Sequence, residues 1–373
     1  MLQIIKKFYY IIFFTNKIFQ KPVKKKILIF DSEESDILKR NLKKKEIEIV
    51  DTRFALKKNQ NLNIYVYFKN LLNLKFSTKN YYEEYINITD PTHLITWTDN
   101  SQLFYKLKVK SNVTKISIQK AFRSLDVGDI LFNLKNLKKK KKELSCDYLL
   151  MFNKEIGKKF QEFLDSKVIP IGSFKSNFYK KKNKKKTINY LYISVFRPNE
   201  EIKIDDLFFL ENLKKYCLNK KIKIQILGSS DNFAKEKNFY IKIFGDRLEK
   251  FLPRHLERDT YGIVDKSEII ISTISTLGYE AASRGNKVGL FSINKNLAKN
   301  SFRFGWPVKK KPKGFFWTNI NNYQEINRII GNLLNLKKNK ITSIIKKEFK
   351  NIMEYDEDNS KFLRLIKKRD KYN

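Results

Sequence analysis

Tyr261-Gly-Ile-Val-Asp-Lys-Ser-Glu-Ile-Ile-Ile-Ser-Thr-Ile-Ser-Thr-Leu-Gly-Tyr-Glu-Ala-Ala-Ser-Arg-Gly-Asn-Lys-Val-Gly-Leu-Phe-Ser292 is the stretch that decides the fold. A short helix ends near Lys266, and residues 268–272 are apolar enough for a buried strand. The hydroxyl-rich turn 272–276 opens a helix over 277–283, Gly285 stops it, and 288–291 begins the next strand. A helix that starts at the carboxyl end of a parallel strand turns free backbone N–H groups and a positive partial charge outward, which suits a diphosphate. Ser275 and Thr276 stand where capping hydroxyls are wanted, followed by Leu277 in the first turn. Gly278 allows close approach to the backbone. Glu280 lies one turn in, where a carboxylate can accept from two ribose hydroxyls. Each residue also has an ordinary reading: caps are common, and a carboxylate near a helix N-terminus answers the dipole.

Outward from this unit the same alternation recurs. Short apolar runs at 27–30, 47–50, 64–68, 94–97, 115–119 and 148–152 read as parallel strands, with helices over 100–109 and 155–166. The second half repeats the pattern, with strands at 188–195, 222–227 and 239–244 and a helix at 205–218. The expected architecture is α/β, with two similar Rossmann-like halves built on parallel sheets. The segments are an apolar and basic start (1–22), a first domain (23–179), a charged linker (180–186), a second domain (187–340) and final helices (341–373). The lysine runs at 138–142 and 180–186 are expected to be solvated.

The chain has 373 residues, 42% of them hydrophobic, which supports two cores. Two cysteines exclude a disulfide scaffold and favour a reducing, cytoplasmic setting. The net charge of +39 suggests nucleic acid or an anionic membrane. Yet 66 of the 78 basic residues are Lys, and Lys, Asn, Ile, Phe and Tyr share A/T-rich codons, so coding bias accounts for the excess. No nucleic-acid-reading module is visible, and no specific nucleic-acid partner is expected. The run from Phe8 to Phe14 is too short to span a bilayer but is flanked by Lys6, Lys7 and Lys17. It fits a helix on an anionic membrane face, or one packed on the protein.

The unit at 261–292 resembles the donor-binding motif of the second domain of GT-B glycosyltransferases. Asp265-Lys-Ser-Glu-Ile-Ile-Ile-Ser272 and Ser275-Thr-Leu-Gly-Tyr-Glu-Ala-Ala-Ser-Arg-Gly-Asn-Lys-Val288 resemble the bacterial surface carbohydrate (surface polysaccharide) biosynthesis proteins. Phe304-Gly-Trp-Pro307 and Gly314-Phe-Phe-Trp-Thr318 are similar to that family's downstream aromatic segment. Ile116-Ser-Ile-Gln-Lys-Ala-Phe-Arg-Ser124 resembles a strand leading to a Gln-Asn-Gly turn, with Lys120-Ala121 in place of Asn-Gly. The resemblance implies two domains whose sheets face a central cleft, with final helices that cross back to the first domain. It also implies a nucleotide-sugar donor, a glycan or lipid-linked acceptor, and a place in lipopolysaccharide or capsule synthesis.

An inverting transfer needs a base for the acceptor hydroxyl. Asp99, after a strand end, is the first candidate, and Asp31 and Glu33 are the next. Gly228, Ser229, Arg254 and His255 are further donor-site candidates. Gln119, Arg123, Arg303, Trp306 and Trp317 are candidate sugar or acceptor contacts. No Asp-x-Asp stands at a convincing strand end, so neither a metal nor a resident cofactor is expected. A sugar-nucleotide 2-epimerase, which shares this fold type, is the enzymatic alternative. A polybasic membrane or nucleic-acid binder is the non-enzymatic one.

Overall fold

A computed structural model of the chain describes residues 13–33, 35–53, 59–125, 129–136, 143–181, 185–197, 204–229, 232–253, 260–293 and 303–368. The apolar residues 1–12 and the lysine run 138–142 lie outside the described residues. The chain divides into two compact units. The first comprises Met1–Lys120, Val127–Lys175 and Asn359–Asn373; the second comprises Ala121–Asp126 and Ser176–Asp358. The segment 180–186 therefore lies in the second unit. Lys186 there donates to the Asp265 and Ser267 carbonyls at 3.0 and 2.6 Å, where free solvation had been expected.

In the first unit β1 (Thr15–Ile18) pairs with β4 (Gln60–Asn63) as a separate parallel ribbon. The main sheet uses β2 (Ile27–Phe30), β3 (Ile47–Val50), β5 (His93–Thr96), β6 (Thr114–Ile118), β7 (Ser145–Met151) and β8 (Asp165–Pro170). Their order is β3-β2-β5-β6-β7-β8, every pair parallel. The second unit contains β9 (Ile188–Ile193), β10 (Ile224–Leu227), β11 (Leu248–Leu252), β12 (Ser267–Ser272), β13 (Val288–Phe291) and β14 (Trp317–Thr318). They lie in the order β11-β10-β9-β12-β13-β14, again wholly parallel. The central strands are buried on both faces: β2, β5, β10 and β13 are buried throughout. That is why they read as continuous apolar runs.

Two expected strands are helices. Residues 64–68 belong to the helix Ile64–Leu72, started by Asn63, whose side chain accepts from the Val66 N–H at 3.0 Å. Val66 and Asn70, four apart, form its inner side. Residues 239–244 close the helix Phe233–Phe244, which buries Glu236, Tyr240 and Phe244 at the same spacing. The edge strand is β11 instead. The helix expected over 155–166 stops at Gln161, and the chain then extends as β8 along β7. The helix expected over 100–109 shortens to Gln102–Lys106. No helix among the described residues is long and apolar enough to cross a membrane.

Candidate functional site

Counting β9 as first, the second sheet has the doubly wound order 3-2-1-4-5-6, and its direction of winding reverses between β9 and β12. Ligands of such sheets bind outside the carboxyl ends of the strands at this reversal. Here β12 ends at Ser272 and the helix Thr276–Ser283 begins. Ser275 holds the extended N-cap backbone (φ −73°, ψ 131°), but its hydroxyl makes no capping bond to the helix. Thr276 Oγ1 accepts from the Phe122 N–H at 3.4 Å, and the Phe122 ring lies edge-on to Tyr279 at 4.1 Å. The Gly278 N–H turns back to the Ser275 carbonyl at 3.0 Å, and the N–H groups before it, of Thr276 and Leu277, precede the first bond of the helix.

Gly278 has a nearer reason for being glycine. A Cβ there would lie 2.2 Å from Ser272 Oγ and 2.4 Å from Ser272 Cβ, so the helix rests directly on the end of β12. Ser272 Oγ is buried and has no hydrogen-bond partner among the described residues.

Glu280 is buried rather than exposed in an open position. The Tyr261 hydroxyl donates to Glu280 Oε2 at 2.9 Å. Burial first, then the Glu280 carboxylate, pushes the Tyr261 phenol well above its usual range and keeps it a donor. Tyr261 stacks on Tyr179 (5.1 Å, 28°) and lies under the Arg284 guanidinium at 5.0 Å. Arg284 in turn forks onto Asp265, with Nη2 2.6 Å from Oδ2 and Nε 3.3 Å from Oδ1, and donates to the Ser176 and Tyr179 carbonyls. Asn286 completes the cluster on Asp265 Oδ1 at 3.1 Å. The sequence reading had Glu280 but not this foundation, whose members come from distant segments.

At the end of β10 the structure adds a residue that the sequence did not single out. Glu236 is fully buried and takes the Ser229 N–H on both carboxylate oxygens, at 2.9 and 3.2 Å. The Ser194 hydroxyl donates to it at 2.5 Å and also meets the Tyr240 hydroxyl at 2.8 Å. A Cβ at Gly228 would come within 2.8 Å of Phe251 and 3.1 Å of Glu236 Oε2. The Ser229 N–H thus serves an internal carboxylate, and nothing in the local pattern around Asn232 announces it.

Among the other candidates, Trp317 is enclosed: it stacks on Phe304 at 4.5 Å and donates from Nε1 to the Lys311 carbonyl at 3.2 Å. It is a core residue rather than a stacking platform. Trp306 is half-buried beside exposed Arg303, whose carbonyl its N–H reaches at 3.1 Å. Arg123 is buried, and its Nη1 donates to the Phe122 carbonyl at 3.4 Å. Arg254 and His255 lie outside the described residues.

The first sheet reverses between β2 and β5, and the candidate carboxylates gather there. Asp31 accepts from Arg53 Nε at 2.9 Å and from the Glu33 N–H at 3.1 Å. Glu33 is also paired with Arg53 Nη1, and lies 3.6 Å from Lys120 Nζ. Asp99 is fully buried and accepts from the Lys120 N–H at 3.0 Å. It is therefore an internal anchor of the loop after β6. Gln119, also buried, accepts from the Phe152 N–H at 2.8 Å and holds β6 to β7. Arg53 and Lys120 are the missed members of this cluster; charges in separate loops carry no spacing signal.

Several solved structures share the fold. MnaA of S. aureus, solved with UDP, is 15% identical, with 94% of this chain and 98% of that one covered and a TM-score of 0.55. A UDP-N-acetylglucosamine 2-epimerase is 11% identical over 94% and 98% of the two chains, with a TM-score of 0.53. The wall teichoic acid polymerase TagF is 13% identical over 94% and 90%, with a TM-score of 0.52. No curated protein sequence matches this one. Residues 116–370, well over half of the chain, match the family described as "putative O-antigen biosynthesis protein", and to that family the chain belongs.

Proposed function

We propose that the protein is a GT-B-type glycosyltransferase of surface polysaccharide or lipopolysaccharide synthesis. It would move a sugar from a nucleotide-sugar donor to a glycan or lipid-linked acceptor. The observation that carries this reading is the strand–turn–helix unit at the reversal of the second sheet, in a chain of an O-antigen family. The donor diphosphate would lie at the N-terminus of the helix Thr276–Ser283, where the dipole and first-turn N–H groups favour anions. The ribose hydroxyls would donate to Glu280. Tyr261 engages one carboxylate oxygen and fixes its orientation, and a carboxylate offers about four lone-pair directions in all.

The acceptor hydroxyl needs a base. Glu33 is the most accessible of the three carboxylates at the first reversal, since Asp31 and Asp99 are buried. The helix N-terminus supplies the diphosphate's counter-charge in this reading, so a chelator is expected to leave activity intact. The protein would work at the inner face of the plasma membrane, where lipid-linked acceptors are available. An epimerase is a distinct reading, supported by the fold shared with a UDP-N-acetylglucosamine 2-epimerase. Product analysis with a panel of nucleotide sugars separates them: free nucleoside diphosphate with an enlarged glycan means transfer. A rearranged sugar nucleotide means epimerisation and overturns the proposal.

A further inference from the structure

The helix Ile64–Leu72 is turned the wrong way for a core helix. Its inner side is Val66 and Asn70, and the Asn70 amide is spent on the Val66 carbonyl at 3.0 Å. Its outer side is Tyr65, Phe68 and Leu72, at spacings of three and four residues, with Phe68 57% and Leu72 85% exposed. The chain beyond the helix continues the apolar surface, with Leu74 77% and Phe76 73% exposed. Phe19, 72% exposed, lies alongside: β1 pairs with β4 directly before the helix, and Asn63 Nδ2 donates to the Gln20 carbonyl at 2.9 Å. Single exposed apolar residues are ordinary, but a cluster of large ones marks a surface that meets something.

The charge around the cluster says what it meets. Residues 13–26 and 59–82, the two segments that form it, contain eight lysines. Lys24, Lys26, Lys69 and Lys79 pair with Asp90, Glu46, Glu84 and Glu83, so lysine stays in excess, with exposed Lys21 and Lys75 near Phe19 and Phe76 in the chain. An apolar face with a net excess of lysine matches an anionic bilayer surface, with apolar side chains below the headgroups and ammonium groups among them. A second copy of this chain would bring the same lysines against these in a two-fold contact, which like-charge repulsion opposes. Nine residues of helix are too few to span, so the helix lies in the surface plane.

We propose that this face of the first unit docks the protein on anionic lipid. The inference does not depend on the transferase reading, because docking requires no nucleotide. Its test is flotation of the full chain with phosphatidylcholine vesicles, with and without phosphatidylglycerol. The wild-type protein is expected to float with the anionic vesicles. Phe68→Ser/Leu72→Ser/Phe76→Ser should lower its partition at least tenfold, with an unchanged melting temperature and an unchanged thermal shift by nucleotides. Lys21→Gln/Lys75→Gln should lower binding about fivefold per lysine on anionic vesicles only, the equivalent of ~1 kcal/mol each. Vesicle binding by the triple variant equal to wild type would overturn the proposal, as would absence of wild-type binding. A wild-type dimer that the triple variant converts to monomer, without lipid binding, would assign the face to a second copy instead.

Discussion

The two sheets reverse their winding in the same way and furnish the reversal with opposite chemistry. At the first, Asp31 and Glu33 face Arg53 and Lys120, so acidic and basic side chains from three loops neutralise one another locally. At the second, hydroxyls and the opening of a helix occupy the strand ends, and the carboxylates Glu236 and Glu280 are buried and hydrogen-bonded. One arrangement sets charged side chains against one another, the other sets the opening of a helix, whose dipole favours anions, at the strand ends. The contrast extends to one buried cation in each unit. Arg284 in the second unit is forked onto a carboxylate. Lys115 in the first donates to neutral groups, the Leu107 carbonyl at 2.9 Å and the Ser145 hydroxyl at 3.2 Å.

Breaking the paired cation should have the largest effect. Arg284→Ala leaves Asp265 buried without its partner, which costs about 3–5 kcal/mol. Chemical denaturation should show an early transition of the second unit only. A single unshifted transition would mean that the pair adds nothing.

The unpaired cation should behave in the opposite sense. Burial pushes the Lys115 ammonium down to about 8 from its ordinary 10.5. Between those values the unfolded chain binds more protons than the folded one, so stability should rise with pH across that window. Below it the full penalty persists, on the order of 3 kcal/mol at about 1.4 kcal/mol per pKa unit. Lys115→Met should therefore stabilise the protein at neutral pH and flatten the rise, which melting curves from pH 7 to about 11 would reveal.

Gly278→Ala sharpens the account of the second reversal. Its Cβ would collide with Ser272, and overpacking of this kind costs roughly 1–3 kcal/mol. Adding Ser272→Gly should restore the melting temperature. If the glycine serves only ligand approach, the single variant would instead lose nucleotide affinity without losing stability.

Glu280→Gln should weaken nucleotide binding by about five- to a hundredfold, as a charge-assisted acceptor becomes a neutral one worth about 1–3 kcal/mol less. Because Tyr261 also donates to Glu280, a smaller fall in melting temperature should accompany it. Titration calorimetry and a thermal melt on the one variant give both numbers. Unchanged affinity with lowered stability would reduce Glu280 to a structural residue.

The alternation of apolar runs and polar loops was enough to place the inner strands of both sheets and the helix Thr276–Ser283, because buried parallel strands and helix starts are written locally. It did not place β8, β11 or β14 at the edges. Residues 64–68 and 239–244 misled for the same reason: a five- or six-residue apolar run fits either periodicity, and here the capping Asn63 and Asn232 begin helices. The chemistry of single residues was less legible. Asp99, Gln119 and Trp317 have the right types for a site, yet the fold encloses all three. Spacing along the chain determined where β12 ends and the helix Thr276–Ser283 begins. Which carboxylates stay reachable and which are engaged inside the fold, as Asp31 is by Arg53 and Glu236 by Ser229, was decided only by tertiary structure. Those partners are brought together by strand order across the sheet, which leaves no periodicity in the sequence.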